Sequence, residues 1–214
     1  MKRNDWVFLC VVVAVFAALA GGFLTWIHSF GSSNAPASQS GSAGSSGSAG
    51  TAADAMSNRL VIPSIGTNAP VVPEGAAGPN GGALDIPYSV QTVGWWDGVW
   101  KSPGGVVEEK VAKPGQPGVA LLAGHIDSAV QGHGALYRLQ QIQAGADVTV
   151  YGQRGAVTKW KVTRLQVVSK SALPDSLFVN SGPAQLAIVS CGGPFDSATG
   201  HYLDNVIAWA VPAT

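Results

Sequence analysis

Apolar positions fall in runs along the chain, and the runs differ in kind. The first is the longest: no charged residue interrupts the stretch from Trp6 to Ile27. From Arg59 onward the runs are short and separated by stretches containing Gly and Pro. "RLVIPSIGTNAPVV" holds two, broken at Pro63 and Pro70, and "GVALLAGHI" (118–126) is continuous. "ADVTVYG" (146–152) alternates. "TKWKVTRLQVVSK" (158–170) alternates Trp160, Val162, Leu165 and Val167 with a slip near Arg164, which predicts a bulge or twist. "QLAIVSC" (185–191) and "NVIAWAV" (205–211) complete the series. Six or more short strands with this punctuation predict an all-β barrel or sandwich. Helical periodicity is weak: "ALYRLQQI" (135–142) puts Leu136, Leu139 and Ile142 on one side and predicts two turns.

The first run reads as a membrane anchor. At a rise of ~1.5 Å per residue, residues 6–27 extend about 33 Å, enough for a bilayer core. Trp6 and Trp26 fall near the two interfaces, and Lys2 and Arg3 place the N-terminus in the cytoplasm. A cleaved signal peptide is the competing reading, because Ala18-Leu19-Ala20 resembles a cleavage site. The run continues past it, which favours an uncleaved anchor. Both readings export everything that follows. Residues 31–58 carry one charge, Asp54, in a Gly/Ser/Ala background that cannot bury a core. Such a linker spans about 30 Å on average. The expected organisation is therefore a tip and anchor over 1–30, a linker over 31–58 and a folded domain over 59–214.

Composition narrows the function. The 12 basic and 12 acidic residues balance, which gives no electrostatic case for nucleic acid. Charged residues make up 11% of the chain, against 28 glycines and 13 prolines, so turns are abundant and amphipathic helix is scarce. There are two cysteines. Cys10 lies in the anchor run and reads as a small apolar residue. No second cysteine lies in the exported domain beside Cys191, which excludes a disulfide within it. It is either a buried strand-end residue or a nucleophile served by a histidine.

His125 occupies the same kind of position as Cys191, the C-terminal tip of a short apolar run. Two adjacent parallel strands would bring both tips to one end of a barrel. His133 and His201 lie in Gly-rich, turn-like segments, and His28 flanks the anchor. A metal site is not expected: Cys191 has no CxxC companion, there is no HExxH, and Glu108-Glu109 is the one acidic cluster visible along the chain. No cofactor is implied.

"GVALLAGHID" and "LAIVSCGGPFD", in the order His then Cys and 66 residues apart, resemble the two signatures of sortases, which are bacterial cysteine transpeptidases. "RLVIPSIGTNAPV" looks like the family's opening strand. "LDIPYSVQTVGWW", "GALYRL" and "CGGPFD…TGHYLDNVIAWA" look most like the actinobacterial class F group. The resemblance implies an eight-stranded barrel with short helices. It also implies that Cys191 attacks a sorting signal of Leu-Pro-x-Thr-Gly type while His125 handles the amine proton. The implied partners are sorting-signal peptides of surface proteins and an amine acceptor from the cell wall or a pilin. Trp95, Trp96 and Trp100 are candidates for a wall that shields the thiolate, or for plain packing.

Two departures from the family pattern stand out. The usual Thr-Leu-x-Thr-Cys reads Ala187-Ile188-Val189-Ser190-Cys191 here, and no arginine follows Arg164. The family's substrate- or oxyanion-binding arginine falls at Asn205 or the neighbouring Leu203. Leucine donates nothing, and Asn205 donates through a neutral amide. Arg138, in "GALYRL", is the alternative charged donor. Loss of the arginine also leaves open a barrel that only captures sorting peptides, and a thiol peptidase that hydrolyses the intermediate.

Overall fold

The structure is a computed structural model that describes residues 58–77, 83–102 and 105–214. The expected anchor, and all of the linker before residue 58, lie outside them. Among the described residues no helix is long and apolar enough to cross a membrane.

The described residues form twelve strands: β1 (Arg59–Ile62), β2 (Thr67–Ala77), β3 (Ala83–Leu84), β4 (Val93–Ser102), β5 (Gly105–Glu108), β6 (Val119–Gly124), β7 (Asp127–Ser128), β8 (Gly132–His133), β9 (Asp147–Tyr151), β10 (Val157–Ser169), β11 (Gln185–Asp196) and β12 (His201–Pro212). Eight of them run β2-β1-β9-β10-β12-β11-β6-β4, and β4 returns to pair with β2. The sheet is thus a closed eight-stranded barrel, as the resemblance implies, with β3 and β5 added at its rim. Closure leaves these eight strands without a bare edge.

Period-2 alternation divides the side chains between two cores. Leu122, Leu186, Ile188, Val206 and Ala208 point into the barrel, where Leu60, Ile62, Trp160 and Val162 meet them. Leu121, Ala123, Ala187, Val189, Ile207 and Trp209 point outward and are covered by Trp96 and Leu177. Strands β6 and β11 are buried on both faces, which is why they read as continuous apolar runs rather than alternating ones.

Most strand expectations hold. The slip near Arg164 is a register shift between Val162 and Arg164 in the β10–β12 ladder. Two expectations need correction. Pro70 does not break the second run: β2 continues through it. It holds the last register position with β1, opposite Arg59, and pairing with β4 begins at Val71. At this handover between neighbours a missing N–H is tolerated. Residues 135–142 make no two-turn helix, only the 3-10 turn Leu139–Gln141. Leu136, Leu139 and Ile142 do share one buried side, inside the barrel. The segment is too short to nucleate an α-helix, and i to i+3 bonds such as Leu139 N–H to the Leu136 carbonyl close it instead.

Candidate active site

Strand β6 lies parallel to β11, with Val119 opposite Gln185 and Gly124 opposite Ser190. His125 follows the last residue of β6 and Cys191 is the next residue of β11, so one ladder delivers both to the same end of the barrel. Antiparallel pairing of β11 with β12 places Asn205 directly opposite Cys191. Cys191 continues the outward series Ala187, Val189, and Asn205 begins the series Asn205, Ile207, Trp209. Both side chains therefore leave the sheet on the face that packs against Trp96 and Leu177. Cys191 is half-buried.

Two glycines shape the chain after the thiol. A Cβ on Gly192 would clash with the Val206 side chain. Gly193 has φ +72°, and a Cβ there would meet the Asp204 carboxylate. The ladder shifts register between Gly192 and Phe195, so the "GG" turns the strand immediately beyond the thiol. Asp196 then closes the hairpin. Its carboxylate accepts from the Ala198 N–H and the Thr199 hydroxyl, both at 2.9 Å, and these bonds hold it below its ordinary pKa.

His125 is half-buried, and its Nε2 lies 3.0 Å from the Pro87 carbonyl oxygen. A carbonyl only accepts, so Nε2 carries the proton and Nδ1 is the nitrogen left to exchange one. Burial pushes the imidazole below its usual pKa; the Pro87 carbonyl and the Asp127 charge pull the other way. Gly134 permits this arrangement, because a Cβ there would strike the His125 carbonyl oxygen.

Asn205 is 1% exposed, and neither its Nδ2 nor its Oδ1 has a hydrogen-bond partner. A buried amide left in this state costs about 1–3 kcal/mol, so its position opposite Cys191 requires a reason. Ser190, the substitute for the family threonine, points the other way, into the barrel opposite Val206, and its buried hydroxyl also has no partner. Arg138 is exposed at the start of the turn Leu139–Gln141, with no hydrogen bond or ion pair to the site. Leu203 is about half exposed.

The tryptophans divide. Trp96 and Trp100 pack edge to face, centroids 4.8 Å apart, on the side of the sheet that carries Cys191. Trp95 faces the barrel interior, with Lys113 5.7 Å from its ring centroid. His133 is exposed and stacks on Tyr137 at 3.5 Å, and His201 stands opposite Asp196 in the hairpin.

The sequence pattern did not reveal three features. The first is the Pro87 carbonyl, which no side-chain motif announces. The second is a bond from the Tyr202 hydroxyl to the Asp127 carboxylate, 2.6 Å long; Asp127 in "GHID" and Tyr202 in "GHYLDN" were its only traces. The third corrects the reading of Glu108-Glu109 as the one acidic cluster. Folding brings Asp85, Asp97 and Lys101 into electrostatic range of Glu74, and burial, reinforced by Asp85, raises the Glu74 carboxyl.

Comparison with known proteins agrees with the fold. The sortase-domain family profile matches residues 60–213. Among solved structures, sortase C-1 from Actinomyces oris aligns with a TM-score of 0.50 and 18% identity, over 73% of each chain. A lid mutant of sortase A from Corynebacterium diphtheriae aligns at 0.51 and 17%, over 73% of this chain and 69% of that one. The group B Streptococcus pilus island 1 sortase C2 aligns at 0.50 and 16%, over 73% of each. No curated protein sequence matches the chain.

Proposed function

The chain belongs to the sortase family of cysteine transpeptidases, and from that premise we propose that Cys191 and His125 cleave a sorting signal of Leu-Pro-x-Thr-Gly type. The acyl group then passes to an amine of the cell wall or of a pilin. The observation that carries this reading is the parallel β6–β11 ladder, whose last pair, Gly124 and Ser190, immediately precedes His125 and Cys191.

The Cys191 thiolate attacks the Thr carbonyl carbon and charge moves to the oxygen. As the tetrahedral adduct collapses, the C–N bond breaks and His125 Nδ1–H gives its proton to the departing Gly amine. A thioester remains. The incoming amine attacks it, loses a proton to Nδ1 and expels the thiolate, which leaves a new amide. The Pro87 carbonyl holds Nε2–H throughout, so the ring keeps its orientation whether Nδ1 is protonated or not.

Asn205 is the donor for the developing oxyanion in this reading. Its support is its place opposite Cys191 and an amide with no other partner; a substrate oxygen would supply that partner. Arg138 lacks comparable support. Class F membership rests on the likeness of residues 84–96, 134–139 and 191–210 to that group. A cytoplasmic N-terminus, an anchor over 6–27 and an extracellular domain fit an enzyme whose acceptor lies outside the membrane.

The test is to incubate the purified protein with Leu-Pro-x-Thr-Gly peptides and an amine and to weigh the products. Ligated product establishes transpeptidation. Hydrolysed peptide alone makes the protein a thiol peptidase, and bound but intact peptide makes it a capture barrel.

A further inference from the structure

The loop that follows His125 is held on two sides. On one side it grips residues 87–90: Pro87 accepts from His125, the Gln131 amide donates to the Tyr88 carbonyl at 3.0 Å, and the Ala135 N–H donates to the Val90 carbonyl at 2.7 Å. On the other side it reaches the hairpin that carries Cys191 and Asn205. There the Tyr202 hydroxyl donates to Asp127 Oδ2 at 2.6 Å, between residues 75 positions apart. The Tyr202 ring packs edge to face on Phe195, its partner across the hairpin, with centroids 5.1 Å apart. Asp127 is itself fixed by pairing with His133 on β8.

We propose that Asp127 and Tyr202 are positioning residues for the site described above, a clasp that fixes the His125 loop against the Cys191–Asn205 hairpin. The inference rests on the assignment of His125 and Cys191 as the reacting pair.

The physical case has two parts. The parallel ladder ends at Gly124 and Ser190, one residue short of both reacting groups. Past that point backbone pairing no longer sets their relative position, and the two chains diverge into a loop and a hairpin. A short phenol–carboxylate bond across this gap restores a constraint where the ladder stops. Charge is the second part. Asp127 lies two residues beyond His125 and raises its proton affinity against the loss from burial. Bonding to Asp127 also pushes the Tyr202 phenol up to about 12, so at working pH it stays a donor. The other titratable groups gathered here are Cys191 on β11, Tyr137 in the following turn and His133 stacked on it.

Two conservative variants separate the parts. Asp127→Asn removes the charge and keeps an acceptor, whereas Tyr202→Phe removes the hydroxyl and keeps the ring on Phe195. Each is expected to fold, as checked by thermal unfolding, and to lower kcat/KM about threefold to tenfold, mostly in kcat. The double variant should be no worse than the weaker single one, because the pair acts as a unit. In Asp127→Asn the NMR titration midpoint of His125 should move down, and in Tyr202→Phe the rate of Cys191 alkylation by iodoacetamide should change. An unmoved His125 midpoint, an unchanged alkylation rate, or losses that simply add would overturn the clasp. The midpoint and the alkylation rate need no peptide. If the parent protein transfers no peptide, the transpeptidase reading falls, and these two readouts still decide the clasp.

Discussion

The two faces of β6, β11 and β12 are built from alternate residues of the same strands, yet they do different work. Inward, Leu122, Ile188 and Val206 close against Leu60 and Trp160, and this face serves packing along most of its length. Outward, Ala123, Val189 and Ile207 pack under Trp96 and Leu177, and the series ends in His125, Cys191 and Asn205. One pleat thus supplies a rigid interior and, on its reverse, a row whose last members are polar. The interior holds the outward row in register, so chemistry and stability should be separable by which face is mutated.

The sharpest break is Cys191→Ala, which should abolish turnover with thermal unfolding unchanged. Retained cleavage by the folded variant would refute the nucleophile. His125→Ala should cost about 10²–10⁴-fold in kcat/KM, while His133→Ala and His201→Ala, neither of which directly follows the ladder, stay within about twofold. A lethal His201→Ala would mean that a different histidine serves the thiol.

Asn205→Leu tests the comparison from within the core. The change keeps the number and branching of the side-chain heavy atoms and removes two buried polar atoms that have no partner. It should lower kcat by about 10²–10³, the usual cost of an oxyanion donor, with Tm unchanged or raised. A parallel drop in both quantities would make Asn205 structural. The inward counterpart is Ile188→Ala. It should cost about 2–5 kcal/mol of stability, read from denaturant unfolding, with little loss of activity per folded molecule.

The smallest effect is on pH dependence. His125 sits below its ordinary pKa when folded, so the unfolded chain binds the proton more readily. Its contribution to stability is complete above pH ~6.5, the ordinary histidine value. It is lost as pH falls from there through the folded pKa. His125→Asn should flatten that part of the stability curve, and an NMR midpoint at or above the ordinary value would contradict the burial argument.

The strand series was legible because closed barrels print their alternation and turns into local sequence. The continuous runs "GVALLAG" and "LAIVS" announced strands buried on both faces, and His125 and Cys191 at their tips stood out for the same reason. The failed helix at 135–142 shows the limit. Its spacing correctly predicted the buried side, but the tight turn is imposed by the barrel end it fills, which no local window contains. Pro70 shows it again, since a proline reads as a break until the neighbour that does not need its N–H is known.

What the chain determined by itself is therefore the kind of fold, the run of strands and the reacting residue types, because each rests on spacing within about ten residues. What only the tertiary structure decided is which groups face the thiol. Asn205 acquires its place by pairing opposite Cys191, fourteen residues earlier. Pro87 reaches His125 across 38 residues and Tyr202 reaches Asp127 across 75. Closing the barrel makes such distant segments neighbours, and a hydrogen bond depends on where atoms meet rather than on how far apart they lie along the chain.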